Sequence, residues 1–93
     1  MIRRTKIVAT LGPACSDPKV LDRMMEAGID VVRLNFSHGT AQDHIDRAAL
    51  VRSLAKTRGR AIGVLVDLQG PKIRIGKFKD GRIVLGAGER FIL

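Results

Sequence analysis

The spacing of hydrophobic positions changes several times along the chain, and each change marks an element. Thr5 to Leu11 is a short β-branched, apolar run closed by Gly12-Pro13, which predicts a buried strand. Asp17-Pro18 is a helix start, with Asp as N-cap and Pro at the first helical position. Val20, Leu21, Met24 and Met25 repeat at helical spacing, and Gly28 supplies the stop. Ile29 to Phe36 predicts a second strand. Thr40 can cap a longer helix reaching about Arg58, with Ala41, Ile45, Ala48, Val51 and Ala55 on one face, Leu50 off that stripe and Gly59 as the stop. Ala61 to Leu68 is a third strand, apolar nearly throughout, as suits a strand covered on both faces of a parallel sheet. The order β-α-β-α-β makes two right-handed crossover units of an α/β fold.

Beyond Gly70-Pro71 the helical period disappears. Ile73 and Ile75 alternate with Arg74, Asp80-Gly81 is a hairpin signal, and Arg82 to Leu85 and Arg90 to Leu93 are further strand candidates. The expectation is a boundary near Pro71, with residues 1–70 in one α/β unit and 71–93 opening a small β domain.

Composition narrows the picture. The 93 residues hold no Trp or Tyr and three Phe, so the core is built from Val, Ile, Leu, Ala and Met. A formal net charge of +8 raises the possibility of a nucleic-acid or anionic-membrane partner. The cations are scattered, however, and no aromatic residues interleave with them as a base-stacking surface needs, so neither partner is expected. Cys15 is the sole cysteine, which excludes an intramolecular disulfide and makes a reducing compartment the default. The apolar run after Arg3, Arg4 and Lys6 is shorter than the roughly 7–15 residues of a secretory h-region, and no run approaches the roughly 18 of a membrane span. A cytoplasmic location is expected.

Candidate chemistry gathers in two segments. In Val32-Arg33-Leu34-Asn35-Phe36-Ser37-His38-Gly39, strand alternation puts Arg33, Asn35 and Ser37 on one face at the carboxyl end of an otherwise apolar strand. That edge is where α/β folds bind ligands. Arg33 there needs an anion: either a phosphate or carboxylate ligand matched to its planar fork, or a nearby Asp, with Asn35 then capping the turn. In Asp67-Leu68-Gln69-Gly70-Pro71-Lys72-Ile73-Arg74, Asp67 emerges at the same edge. With oxygens from Asn35 and Ser37 it can form a pocket for a hard cation, or it can act as a helix-capping or turn carboxylate. Lys72 and Arg74, two apart, can face one anion if that segment is extended. His38, Asp43 and His44 match no compact metal spacing, and His44, on a helix rich in charges, reads as a solvated side chain. Cys15 reads as a small loop residue rather than a nucleophile.

These two segments, with Thr5-Lys6-Ile7-Val8-Ala9-Thr10-Leu11-Gly12-Pro13 before them, resemble the amino-terminal signature of pyruvate kinases, in order and with the family's spacing from about Arg4 to Phe78. The resemblance implies the first three strands and two helices of a (β/α)8 TIM barrel, followed by the start of a small β-barrel lid domain. It implies phosphoryl transfer from phosphoenolpyruvate to ADP, giving pyruvate and ATP in glycolysis. Arg33 falls on the family's substrate-phosphate arginine. Asn35, Ser37, Asp67 and the main-chain oxygen of Leu68 fall on its monovalent-cation site, and Asn35, His38 and Arg74, with Pro13, fall on its nucleotide contacts.

The family's catalytic lysine and the ligands of its Mg2+ lie beyond Leu93, so the chain alone is expected to be inactive. With three barrel strands and open edges it is also expected to self-associate; the whole protein is expected to be a homo-oligomer, a tetramer in the family. One departure stands out. Potassium-dependent members carry Glu two places after the Gly of the second motif, where this chain has Lys72, so the resemblance implies that Lys72 replaces K+. Two readings of other classes compete: a basic binding module, which salt-dependent nucleic-acid binding would reveal, and a purely structural unit.

Overall fold

A computed structural model describes residues 3–92. Strand β1 is Val8–Thr10, helix α1 Pro18–Ala27, strand β2 Val31–Asn35, helix α2 Ala41–Arg58 and strand β3 Gly63–Asp67. A short 3-10 turn, Pro13–Cys15, follows β1. The three strands are parallel in the order β1-β2-β3, with Thr10 opposite Arg33 and Asn35 opposite Asp67. The strands are shorter than the apolar runs that predicted them, because the ladder stops where the chain turns towards each helix.

The helix ends follow from local chemistry. Asp17 accepts from the Lys19 N–H at 2.9 Å, and Gly28 ends α1 with φ of 109°, in the left-handed region that favours glycine. Thr40 caps α2 by accepting from the Asp43 N–H, while the Asp43 carboxylate accepts from the Thr40 N–H at 2.9 Å. Those bonds from Thr40, the backbone one first, hold the Asp43 carboxyl below its ordinary range.

Both helices cover one face of the sheet. Leu21 and Met25 of α1, Val32 and Leu34 of β2 and Val51 of α2 are fully buried together, with Leu11, Cys15 and Ile29 around them. Arg58 joins the helices by a two-pronged ion pair, Nε to Asp22 Oδ1 at 2.6 Å and an Nη nitrogen to Oδ2 at 2.8 Å. That fork holds the Asp22 carboxyl below its usual range. Arg60 donates to the carbonyl of Met25 at 2.6 Å, closing the carboxyl end of α1.

Four expectations are corrected. On α2, Val51 and Ala55 are buried and Ala48 half-buried, as predicted, but in the first turns His44 takes the inward position while Ala41 and Ile45 are exposed. His44 is therefore no solvated side chain, because this face meets Phe36 and the core. Strand β3 is not covered on both faces: Leu65 and Val66 are exposed, since the helices lie on one side and no strand pairs with its outer edge among the described residues. Residues 68–92 form no strand. The turn at Asp80-Gly81 does form, the Gly81 N–H donating to the Phe78 carbonyl at 3.1 Å, but no ladder flanks it. Ile73, Val84 and Ile92 are exposed there, with no sheet to pack on, and Leu93 lies outside the described residues.

Candidate functional site at the carboxyl edge of the sheet

Arg33 stands in the central strand, one row below Asn35, on the face opposite the helices. Its Nε donates to Asp67 Oδ2 at 3.1 Å, Nη2 donates to the same oxygen, and Nη1 donates to Thr10 Oγ1 at 3.1 Å. One guanidinium thus ties together the ends of all three strands. Arg33 and Asp67 are both partly exposed, so the pair keeps contact with water rather than forming a sealed core charge. Three of the five N–H donors are engaged and two remain. Both anions considered from the sequence are thereby compatible: Asp67 is the partner in hand, and the open donors can meet a phosphate.

Asn35 caps the turn after β2, its Oδ1 accepting from the Ser37 N–H at 3.1 Å while its carbonyl accepts from the His38 N–H at 3.2 Å. The Phe36 N–H donates to the Asp67 carbonyl at 3.0 Å, which locks the ends of β2 and β3 level. Beside this row lies a cavity of about 370 Å³, whose lining includes Gly12, Pro13, Asn35, His38, Asp43 and Arg47. Pro13 arrives there because Gly12 opens the 3-10 turn, which the Cys15 thiol steadies by accepting from the Gly12 N–H at 3.2 Å. Cys15 is buried in that turn.

The fold thus brings Pro13, Asn35 and His38 to one cavity and Arg33 and Asp67 to the adjoining strand ends. Leu68, Lys72 and Arg74 are exposed in the segment after β3 and do not line it. Sequence reasoning passed over Thr10, which holds the third arm of Arg33, and Arg47, which borders the cavity. The signal for Thr10 was its place, a hydroxyl at the end of the first apolar run; its register with Arg33 comes from the structure.

A family description, pyruvate kinase barrel domain, matches residues 2–93. The chain belongs to the pyruvate kinase family. It is 55% identical over 92 residues to the pyruvate kinase of Haemophilus influenzae and 51% identical to pyruvate kinase II of Salmonella typhimurium, covering 99% of this chain and 19% of each relative. A crystal structure of a pyruvate kinase from Cryptosporidium parvum superposes with a TM-score of 0.75 at 37% identity, over 84% of this chain and 16% of that one. The chain therefore spans about a fifth of the length of the pyruvate kinases it matches. Among the described residues no helix is long and apolar enough to cross a membrane.

Proposed function

We propose that this chain is the phosphate- and nucleotide-holding part of a cytoplasmic pyruvate kinase, which transfers the phosphoryl group of phosphoenolpyruvate to ADP. The observation that carries the reading is Arg33: it sits at the carboxyl edge with two N–H donors open, beside the cavity that Pro13, Asn35 and His38 share. Its task is to neutralise charge on the phosphoryl group in flight, while Asn35, His38 and Pro13, joined by Arg74, position the nucleotide. Residues 1–70 form the first three strands and two helices of a TIM barrel, and 71–93 open its β lid. Mg2+, held by residues beyond this chain, would supply further neutralisation of phosphate charge.

The monovalent site has the right donors for a hard cation: the Asp67 carboxylate, the amide oxygen of Asn35, the Ser37 hydroxyl and the Leu68 carbonyl. Arg33 already meets the Asp67 oxygen, so one positive charge is in place. Lys72 supplies the second when the segment after Pro71 lies over the site, making K+ dispensable.

The test is a coupled assay on the full-length protein, with phosphoenolpyruvate, ADP and Mg2+. Pyruvate formation is expected, and its absence overturns the reading. The isolated chain should show no turnover, because phosphoryl transfer needs charged groups that it lacks. The same sample should scatter light as an associated species, since β1 and β3 leave open edges and Leu65, Val66 and Leu68 are exposed. A monodisperse monomer that melts cooperatively would contradict that part.

A further inference from the structure

Helix α2 buries an imidazole at the border of the same cavity, with no part in the phosphate chemistry described above. His44 is 3% exposed and stacks on Phe36, the ring centres 4.3 Å apart and the planes 16° from parallel. Its Nε2 lies 2.7 Å from the main-chain oxygen of His38. A carbonyl only accepts, so Nε2 carries a proton, and in the neutral ring Nδ1 is then a bare acceptor. That Nδ1 is buried and has no partner among the described residues. Burying an unsatisfied acceptor is unfavourable, and a leucine would fill the space without that cost. The useful half of the ring is therefore the N–H on the His38 carbonyl.

The bond closes a short loop at its far end. At the near end Asn35 holds Ser37 and His38 through the two hydrogen bonds described above. Between them Gly39 adopts φ of 75°, and a Cβ there would stand 3.3 Å from Asp43 Oδ2 and 3.5 Å from His44 Nε2. The loop is thus pressed against the first turn of α2, with the His44 ring as the contact that fixes the His38 peptide.

We propose that His44 is a positioning residue for the nucleotide, acting through His38: its Nε2–H fixes the main chain of His38, a residue that lines the cavity. The inference rests on the pyruvate kinase reading for the identity of the ligand. It separates two properties of the ring, stacking and donation, which substitutions can uncouple. Gln at 44 places an amide N–H at about the position of Nε2 but cannot stack. Phe keeps the stack and loses the donor.

In the full-length protein, His44→Phe is expected to raise the KM for ADP by about five-fold, on the order of one neutral hydrogen bond, with kcat and the KM for phosphoenolpyruvate changing less than about two-fold. His44→Gln should keep the KM for ADP within about two-fold of the wild type even if its Tm falls. Equilibrium binding of ADP should move in parallel. A merely structural role predicts the opposite: both variants lose active protein and Tm together, with every KM unchanged, and that overturns the proposal. So does an unchanged KM for ADP in a folded His44→Phe protein. If His44→Phe does not fold, His44→Met, flexible and without a donor, takes its place, and failure of both to fold also overturns it. A wild type that binds ADP without turnover defeats the pyruvate kinase reading alone, leaving ADP affinity to decide on His44; a wild type that does not bind ADP defeats both.

Discussion

Replacing Arg33 by Met in the full-length protein is expected to lower kcat/KM for phosphoenolpyruvate by roughly two to three orders of magnitude. That is the scale seen when one preorganised donor to developing charge is removed. Here the substitution removes a full charge as well, and with it the fork that joins Thr10, Arg33 and Asp67. Met fills similar space, and both ionic partners are partly exposed, so the fold should survive with a small change in Tm. Arg33→Lys restores the charge but not the planar fork, because an ammonium cannot hold Asp67 and Thr10 and still offer two N–H groups in one plane. Its activity should fall between the other two. Steady-state kinetics with thermal melts as control make the measurement, and a loss below ten-fold in Arg33→Met would remove Arg33 from the phosphate site.

The second large effect concerns Lys72. The wild-type full-length protein should turn over equally in sodium, potassium or bulky-ammonium buffers. Lys72→Glu reverses the charge at that position, and two unit charges about 4 Å apart interact by roughly 4 kcal/mol at an effective dielectric near 20. The variant should be slower by orders of magnitude, and potassium alone should recover part of the loss by entering the cation site proposed for Asn35, Ser37 and Asp67. Potassium dependence of the wild type would show that Lys72 does not take the place of the cation.

The capped helices and the placement of Arg33 and Asn35 near one strand end were legible in the chain because each rests on local chemistry. Asp17-Pro18, Thr40, Gly28 and Gly59 set helix ends through bonds within one turn. Arg33 and Asn35 could be placed by strand alternation alone. His44 could not. Ala41 and Ile45 extend the stripe of Ala48, Val51 and Ala55 equally well in sequence, and the partner that His44 meets, the ring of Phe36, lies eight residues earlier and across a loop. The pairing of Arg33 with Asp67 depends on the β2–β3 register, which sequence spacing does not fix when an 18-residue helix intervenes. The segment from Ile73 to Ile75 shows the reverse failure: its alternation is genuine, but alternation makes a strand only where a neighbouring edge accepts its hydrogen bonds.

The sheet's order, β1-β2-β3, is also the order of synthesis. A ribosome adding about 5–20 residues per second delivers this stretch within about 5–20 s, and each strand emerges when the edge it will join is already present. Among these three, no strand has to be inserted between two others that have paired, so this part of the sheet does not have to open as it grows. The apolar outer edge of β3 is, in those seconds, the surface on which the next segment of the chain can be templated, and the one that a chaperone has most reason to shield.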